Sequence, residues 1–424
     1  MKKKLLVILG AGSSVPLGMP SVTCLGQCMR KWGQEWAGSR FPDYFDALWC
    51  SAEAYYQTGC PSLRPNFEKV LGDMVALAHW MEPAPSGDTL RQIVSNGKPP
   101  RWEPLAHQEG KYEHHIKVMD QLSRLLEGLA RHMRTQSQWL DSTDIPKKQK
   151  YRKLLGGLSE KFDVGIYNLN YDTAALGALP GAYTGFDKNG VFEPRVVHER
   201  DRWDFIYHLH GCVHNSLNCR YTGDKIVWRP TLDGEFYDGP EGRWSGARSD
   251  GIKLPRTTLV AGGFKLDQLL VEPFQSFHAS LVRHVYAADA ILLGGYGFGD
   301  AHINFALQNF ALQNRLCHAQ DRPPVMILGL ADDRRVTMRY REDIWAKELG
   351  QALCPGRGGH FFVDPSRPSN PIPGELPKDV FEVDPQLHVA VWQGGFIEAE
   401  RRVSNIGRWL EEPINDLLVA DSGQ

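Results

Sequence analysis

Short runs of Val, Ile and Leu, each closed by glycine or a polar turn, recur at Leu5 to Leu9, Phe162 to Asn168, Phe205 to Leu209, Thr258 to Ala261, Ala290 to Gly294 and Val325 to Leu328. Runs this short with both faces apolar fit strands covered on both sides, and the stretches between them carry helical spacing. The pattern predicts an α/β fold, a Rossmann-like, mostly parallel sheet between helices. Between Leu9 and Phe162 the rhythm changes. Apolar residues return every three or four positions in Phe67 to Leu71 and in Ile116 to Met133, the signature of helices with one buried face. This predicts a helical insertion at about residues 40–150 inside a core of residues 1–330. Residues 331–424 form a C-terminal extension that completes the core or packs on it, with a strand at Leu387 to Trp392 and a last helix at Ile397 to Leu410. Pro and Gly at Gly97, Pro99, Pro100 and Pro104 mark Arg91 to Pro104 as a loop, and the prolines between Pro365 and Pro377 mark another. No repeat or low-complexity tract interrupts the chain.

Charge narrows the functional classes. Lys plus Arg number 48 against 50 Asp plus Glu, a formal net charge of -2, so bulk electrostatics gives no support for wrapping nucleic acid. The longest apolar stretch, Ala287 to Phe298, is broken by Asp289 and by glycines and is too short to cross a bilayer, so no membrane span is expected. Met1-Lys2-Lys3-Lys4 before Leu5 to Leu9 imitates a secretory signal, but the apolar part is short and Gly10-Ala11-Gly12 follows at once, which fits a first βα unit. The 8 cysteines show no C-x-x-C pair and no disulfide spacing, and are read as reduced thiols of a cytoplasmic protein.

Four constellations at strand ends carry the chemistry. Gly10-Ala11-Gly12-Ser13-Ser14-Val15-Pro16-Leu17-Gly18 has the spacing G-x-G-x5-G, unlike the G-x-G-x-x-G of hydride-transfer enzymes. It reads either as a plain glycine turn or as a cradle in which backbone N–H groups meet a diphosphate. Tyr167-Asn168-Leu169-Asn170-Tyr171-Asp172-Thr173 ends the second strand, where an α/β sheet binds ligands. Asn170 offers a neutral carboxamide for a ribose hydroxyl or a water, and Asp172 reads equally as a helix cap. His208-Leu209-His210-Gly211 places two imidazoles at a strand end, with Gly211 leaving room for a substrate and a histidine suited to general-base work. Gly294-Gly295-Tyr296-Gly297-Phe298-Gly299-Asp300-Ala301-His302-Ile303-Asn304 allows close backbone approach and a cap at Asp300, with His302 and Asn304 open to a simple helix-surface reading.

Taken in order, these four motifs resemble the sirtuin superfamily, and within it the sirtuin-like NADase branch found in bacterial antiphage defence; G-Y-G-F-G-D-A-H-I-N is the most distinctive of them. The resemblance covers most of residues 1–310 and implies an NAD⁺ site. In it Gly10, Ala11, Gly12 and Ser13 hold the diphosphate, and Asn170 orients the ribose or the attacking water. Asp172 lies near the nicotinamide amide, His210 is the base, and Gly295 and Tyr296 line the far side of the nucleotide. Two departures separate the chain from deacetylating sirtuins. Only Cys212 and Cys219 follow the histidine motif, in the wrong spacing for a four-cysteine zinc ribbon, and Ser21-Val22-Thr23 stands where peptide-binding members carry Asp-Phe-Arg. The expectation is an enzyme that hydrolyses NAD⁺ as its substrate to nicotinamide and ADP-ribose without a metal.

The rival readings are a protein deacylase or ADP-ribosyltransferase, a non-catalytic subunit that senses NAD⁺ or ADP-ribose, and a nuclease subunit, for which the required carboxylate clusters are not seen. Members of similar bareness imply control by assembly, as a homo-oligomer docked on a HerA-type ring ATPase or an Argonaute-type protein. The aromatic-rich insertion then forms either the contact surface or its own core.

Overall fold

The computed structural model describes residues 2–38, 42–59, 64–81, 111–218, 225–238, 257–314, 322–329, 344–354, 381–384 and 387–413. The loops expected at 91–104 and 365–377, and Cys219, lie outside these residues. Nine strands occur among them: β1 Lys4–Leu9, β2 Asp163–Asn168, β3 Asp204–His208, β4 Asn215–Asn218, β5 Lys225–Trp228, β6 Ala290–Gly294, β7 Val325–Leu328, β8 Phe381–Asp384 and β9 Val389–Trp392. By density of contacts the chain divides into two units. One comprises residues 1–19, 137–209 and 273–424, the other 20–136 and 210–272.

The first unit is built on a seven-stranded sheet of order β3-β2-β1-β6-β7-β9-β8. Every pairing is parallel except β8 with β9, which makes β8 an antiparallel edge. The chain starts at the middle, steps outward through β2 and β3, and returns to the other side of β1 at β6. That reversal is the switch point of a doubly wound sheet, where ligands collect beyond the strand ends. Leu5 to Leu9 of β1 and all apolar residues of β6 are fully buried, as the two-faced apolar runs require. Helix Pro146–Lys161 starts with proline in its first turn, where the missing N–H costs nothing, and buries Tyr151, Leu154, Leu155 and Leu158 on one stripe.

The strand ends are in common register. Leu9 pairs with Asn168 and Gly294, Asn168 with His208, Gly294 with Leu328, and Leu328 with Trp392, so one row of residues closes the sheet's carboxyl edge. Three of the four sequence motifs begin at or just beyond this row, and the remaining one, from Tyr167, begins one residue before it.

Five of the six expected strands of the core form with boundaries shifted by a residue at most. The sixth, Thr258 to Ala261, does not. Leu259 makes only an isolated bridge to Gly211, because Thr258 N–H is drawn to the Asp238 carbonyl and Gly262 turns the chain at φ +93°. The last expected helix forms as a 3-10 segment, Ile397–Arg402, followed by helix Val403–Glu411.

The second unit contains helices Val22–Ala37, Tyr44–Gly59 and Phe67–Met81, the part of helix Lys111–Ser142 up to residue 136, and the β4–β5 hairpin. Ser21 caps the first helix, its hydroxyl accepting the Cys24 N–H at 3.2 Å. Aromatic side chains go mostly inward here: Tyr44, Phe45, Trp49 and Phe67 are buried, while Tyr55 is exposed. Arg134 ties the hairpin region to the long helix through a paired contact with Asp238, at 3.1 Å and 2.5 Å, and its guanidinium lies 3.7 Å from the Phe236 ring centre. Among the described residues no helix is long and apolar enough to cross a membrane.

Candidate functional site

Past the end of β1 the backbone folds into two consecutive 3-10 turns, Ala11–Ser13 and Val15–Leu17, before Gly18 turns it at φ +95°. The loop is held by its own amides. Gly10 N–H donates to Gly294 O and Gly12 N–H to Gly295 O, each at 2.9 Å, and Ser13 and Ser14 N–H donate to Gly10 O and Ala11 O. The Ala11 N–H takes no part in these bonds, and Ala11 and Gly12 are exposed while Ser13 and Ser14 are buried.

The glycines are dictated by the neighbouring loop. A Cβ on Gly10 would lie 2.7 Å from Gly295 O, and one on Gly12 2.9 Å from Gly295 O and Cα. Gly295 itself has φ +59°, and its Cβ would meet Ser13 N at 2.1 Å. The loops after β1 and β6 therefore meet backbone to backbone at the switch point, which only glycine on both sides allows. Beyond Gly295 the loop is braced internally. The Tyr296 hydroxyl reaches Asn304 Oδ1 at 2.8 Å, Asn304 Nδ2 donates to Phe298 O at 2.7 Å, and the buried Phe298 holds φ +55°. Asn304 is thus a brace and His302 is buried; neither is a plain surface residue. The main-chain carbonyl of Asp300 starts the helix, accepting from Ile303 and Asn304. Burial pushes the Tyr296 phenol well above its ordinary range.

Asn170, just past β2, joins the two motifs. Its Nδ2 lies 2.9 Å from Gly10 O, 3.0 Å from Ser13 Oγ and 2.9 Å from Ser14 Oγ, and its own N–H donates to Asn168 Oδ1 at 3.1 Å. Asp172, 1% exposed, accepts the Ala174 N–H at 2.9 Å, an Asx-turn bond one residue ahead of the N-cap Thr173 and not a cap itself. Burial raises its carboxyl above the ordinary range, against the lowering effect of the Ala174 N–H bond. Ser14, buried, takes its hydrogen bond from Asn170. Tyr151, buried on helix Pro146–Lys161, lies beneath the loop, and burial pushes its phenol well above the ordinary range. The sequence motif contains Ser14 as an ordinary small residue. Tyr151, spaced with leucines on a helix, reads there as core, and nothing local announces that it lies beneath the glycine loop.

His208 closes β3 with Nδ1 3.3 Å from Asn170 O and 3.4 Å from Asn168 Nδ2. His210 belongs to the second unit, is buried, and its carbonyl accepts the Val260 N–H at 2.8 Å. Gly211 does not leave room for a substrate. At φ +87° its missing Cβ would stand 2.3 Å from Thr258 O, so glycine serves the bridge to Leu259. In the first unit Asp300 and His302 bring a carboxylate oxygen and a ring nitrogen within 4.8 Å of each other. The structure thus brings Gly10, Gly12, Ser13, Asn170, Asp172 and Gly295 into one cluster at the sheet edge, with Tyr296 beside it.

No curated protein sequence matches the chain. Among solved structures, a Sir2 homologue in complex with NAD is 11% identical, over 97% of this chain and 91% of that one, with a TM-score of 0.35. A Sir2 protein bound to a propionylated peptide is 11% identical, over 96% and 94%, at 0.33, and a mutant Sir2 homologue with 2'-O-acetyl ADP ribose is 14% identical, over 77% and 80%, at 0.30. Scores this low transfer no residue roles. Residues 164–349 match the SIR2-like domain, a segment that takes in β2, β3, β6 and β7 together with Asn170, Asp172, His208, His210, Gly295 and Tyr296.

Proposed function

We propose that the protein hydrolyses NAD⁺ to nicotinamide and ADP-ribose. The observation that supports this most is the cluster at the switch point, where the Asn170 carboxamide ties the end of β2 to an exposed glycine turn inside a chain with a SIR2-like segment. In this reading the exposed backbone at Ala11 and Gly12, with Gly10 and Ser13 shaping it, carries the diphosphate, and Gly295 and Tyr296 flank the nucleotide. The Asn170 amino group is committed to the loop, which leaves its carboxamide oxygen to accept a ribose hydroxyl or a water. Asp172, held toward its neutral form by burial, faces the nicotinamide amide.

The reaction needs little nucleophilic push. As the C1'–N bond breaks, its electron pair neutralises the pyridinium nitrogen, and the water oxygen bonds to C1' while His210 takes its proton. The positive charge to be relieved is on the substrate, so no metal is needed. Residues 1–330 would form the catalytic domain and 331–424 its extension. A cytoplasmic homo-oligomer gated by a HerA-type or Argonaute-type partner in antiphage defence is the setting this reading favours, since an ungated NADase would drain its host.

The test is to incubate the full chain with NAD⁺, alone and with an acylated lysine peptide, and resolve nicotinamide, ADP-ribose and O-acyl-ADP-ribose. Free ADP-ribose without peptide is the expected product. Nicotinamide release only in the presence of peptide would replace hydrolysis with deacylation.

A further inference from the structure

Beside the second 3-10 turn of the glycine loop, the first unit holds a cleft of about 230 Å³, far more than a single water requires. Its walls come from the end of helix Lys111–Ser142 and from helices Pro146–Lys161 and Ala174–Ala178. The floor is apolar: Leu17, Leu140 and the ring of Tyr151 are all buried. Polar groups stand at the rim. Lys148 has its ammonium on three carbonyls, those of Leu140, Asp141 and Thr143, at 2.6, 3.3 and 2.9 Å, and so caps the long helix and offers nothing further. Arg152, exposed, commits only its Nε, to Gly177 O at 3.0 Å, and its two terminal nitrogens have no partner among the described residues. The Asp141 carboxylate accepts the Thr173 hydroxyl at 2.7 Å and adds a negative charge on the same rim.

We propose that this cleft binds a small amphipathic molecule with a single anionic group, its carboxylate or phosphoryl group on the Arg152 fork and its apolar body on Leu17 and Leu140. A guanidinium fork with both terminal nitrogens available matches a planar or tetrahedral anion in two bonds. Asp141 disfavours a second anionic group, which sets the ligand apart from a diphosphate. The floor also adjoins the nucleotide loop, because Leu17 belongs to its second turn and packs in the same lining as Tyr151. Resting on the NAD⁺ reading, an occupant that presses on Leu17 and Tyr151 shifts the KM for NAD⁺.

The experiment uses the full chain, calorimetry and saturation-transfer NMR, with benzoate, phenyl phosphate and uncharged benzyl alcohol as probes. At least one anion should bind with a Kd of about 10 mM or better and benzyl alcohol about tenfold more weakly. The stronger of the two anions tells carboxylate from phosphoryl recognition. Arg152→Ala, at an exposed position, should weaken the anion about tenfold. Gly177→Phe should abolish binding, since a Cβ at Gly177 meets nothing within 4 Å and the ring would fill the cleft. No anion binding to the wild type, or binding untouched by both variants, overturns the proposal. These readouts need no NAD⁺ turnover, so an inactive enzyme that binds the anion sinks the catalytic reading and leaves the cleft standing. An active enzyme that binds no anion does the reverse.

Discussion

Replacing Asn170 by alanine separates holding the loop from acting on the substrate. The carboxamide has two N–H hydrogens for three acceptors at 2.9 to 3.0 Å, so it makes at most two good bonds at once. Gly10 O keeps the Ser13 N–H and the Ser13 hydroxyl, at 2.9 and 2.8 Å, whereas the buried Ser14 hydroxyl loses the Asn170 bond. The stability cost is therefore about two net hydrogen bonds plus the penalty of one buried hydroxyl, roughly 3 kcal/mol. The sheet, whose core lies in β1 and β6, stays folded. Turnover should fall about 10²-fold or more, about 2.7 kcal/mol of barrier, while NAD⁺ affinity drops by less. Urea unfolding gives the first quantity, and single-turnover kinetics with equilibrium binding give the others. A Ser14→Ala variant completes a cycle. If it loses as much turnover as Asn170→Ala and the double variant loses no more, Asn170 acts only by shaping the loop. A folded Asn170→Ala enzyme with near wild-type kcat would remove the residue from the mechanism altogether.

Further outcomes follow from the same contacts. His210→Ala should cost about 10²-fold in kcat at neutral pH with NAD⁺ binding largely kept, and His208→Ala less; equal rates in all three proteins would free both histidines from proton transfer. Gly295→Ala forces φ +59° on a residue with a side chain, about 1–2 kcal/mol, and drives its Cβ against Ser13 N; KM for NAD⁺ should rise more than kcat falls, and an unchanged KM would count against the loop–loop contact. His284, buried between Tyr167 and Arg283, has its imidazole pulled down to about 3, first by burial and then by the Arg283 and Lys4 charges. Its folded value lies below the unfolded one near 6.5, so the unfolded chain takes up the extra proton as pH falls between them. Stability is fully present above that range, falls by about 1.4 kcal/mol per pH unit as pH drops through it, and changes no further below about 3. His284→Gln, which keeps a partner for the Tyr167 hydroxyl, should flatten the change in urea midpoint between pH 7 and 5, and an unaltered slope would refute the assignment. Chelator should leave the NAD⁺ hydrolysis rate unchanged; loss of activity restored by zinc or magnesium would point to Asp300 and His302.

The sheet was legible because its strands are buried on both faces, so an apolar run such as Ala290 to Gly294 has no helical or amphipathic alternative. Thr258 to Ala261 has the same composition, but its backbone is claimed by Asp238 and Gly211, contacts far away in sequence. The motifs were legible as glycine turns at strand ends. The reason for the glycines was not, because it lies in a second loop nearly three hundred residues away, Gly12 against Gly295. Gly211 misled for the same reason. Ser14 escaped because the partner of its hydroxyl, Asn170, is set by tertiary packing, which periodicity does not report.

The common register of the strand ends bears on how such a chain tolerates growth. A slip of one residue in any strand would move its loop about 3.3 Å and turn its buried face outward, so the packed sheet fixes where each loop starts. What lies between two strand ends is much less constrained. Closing a flexible loop costs only about 0.6 kcal/mol more for each doubling of its length. The stretch from Leu9 to Asp163 can thus gain or lose whole helices while Gly10 and Asn170 remain neighbours across one strand pairing. Insertions there are nearly free to change size, and a single residue added inside β1 or β2 is not.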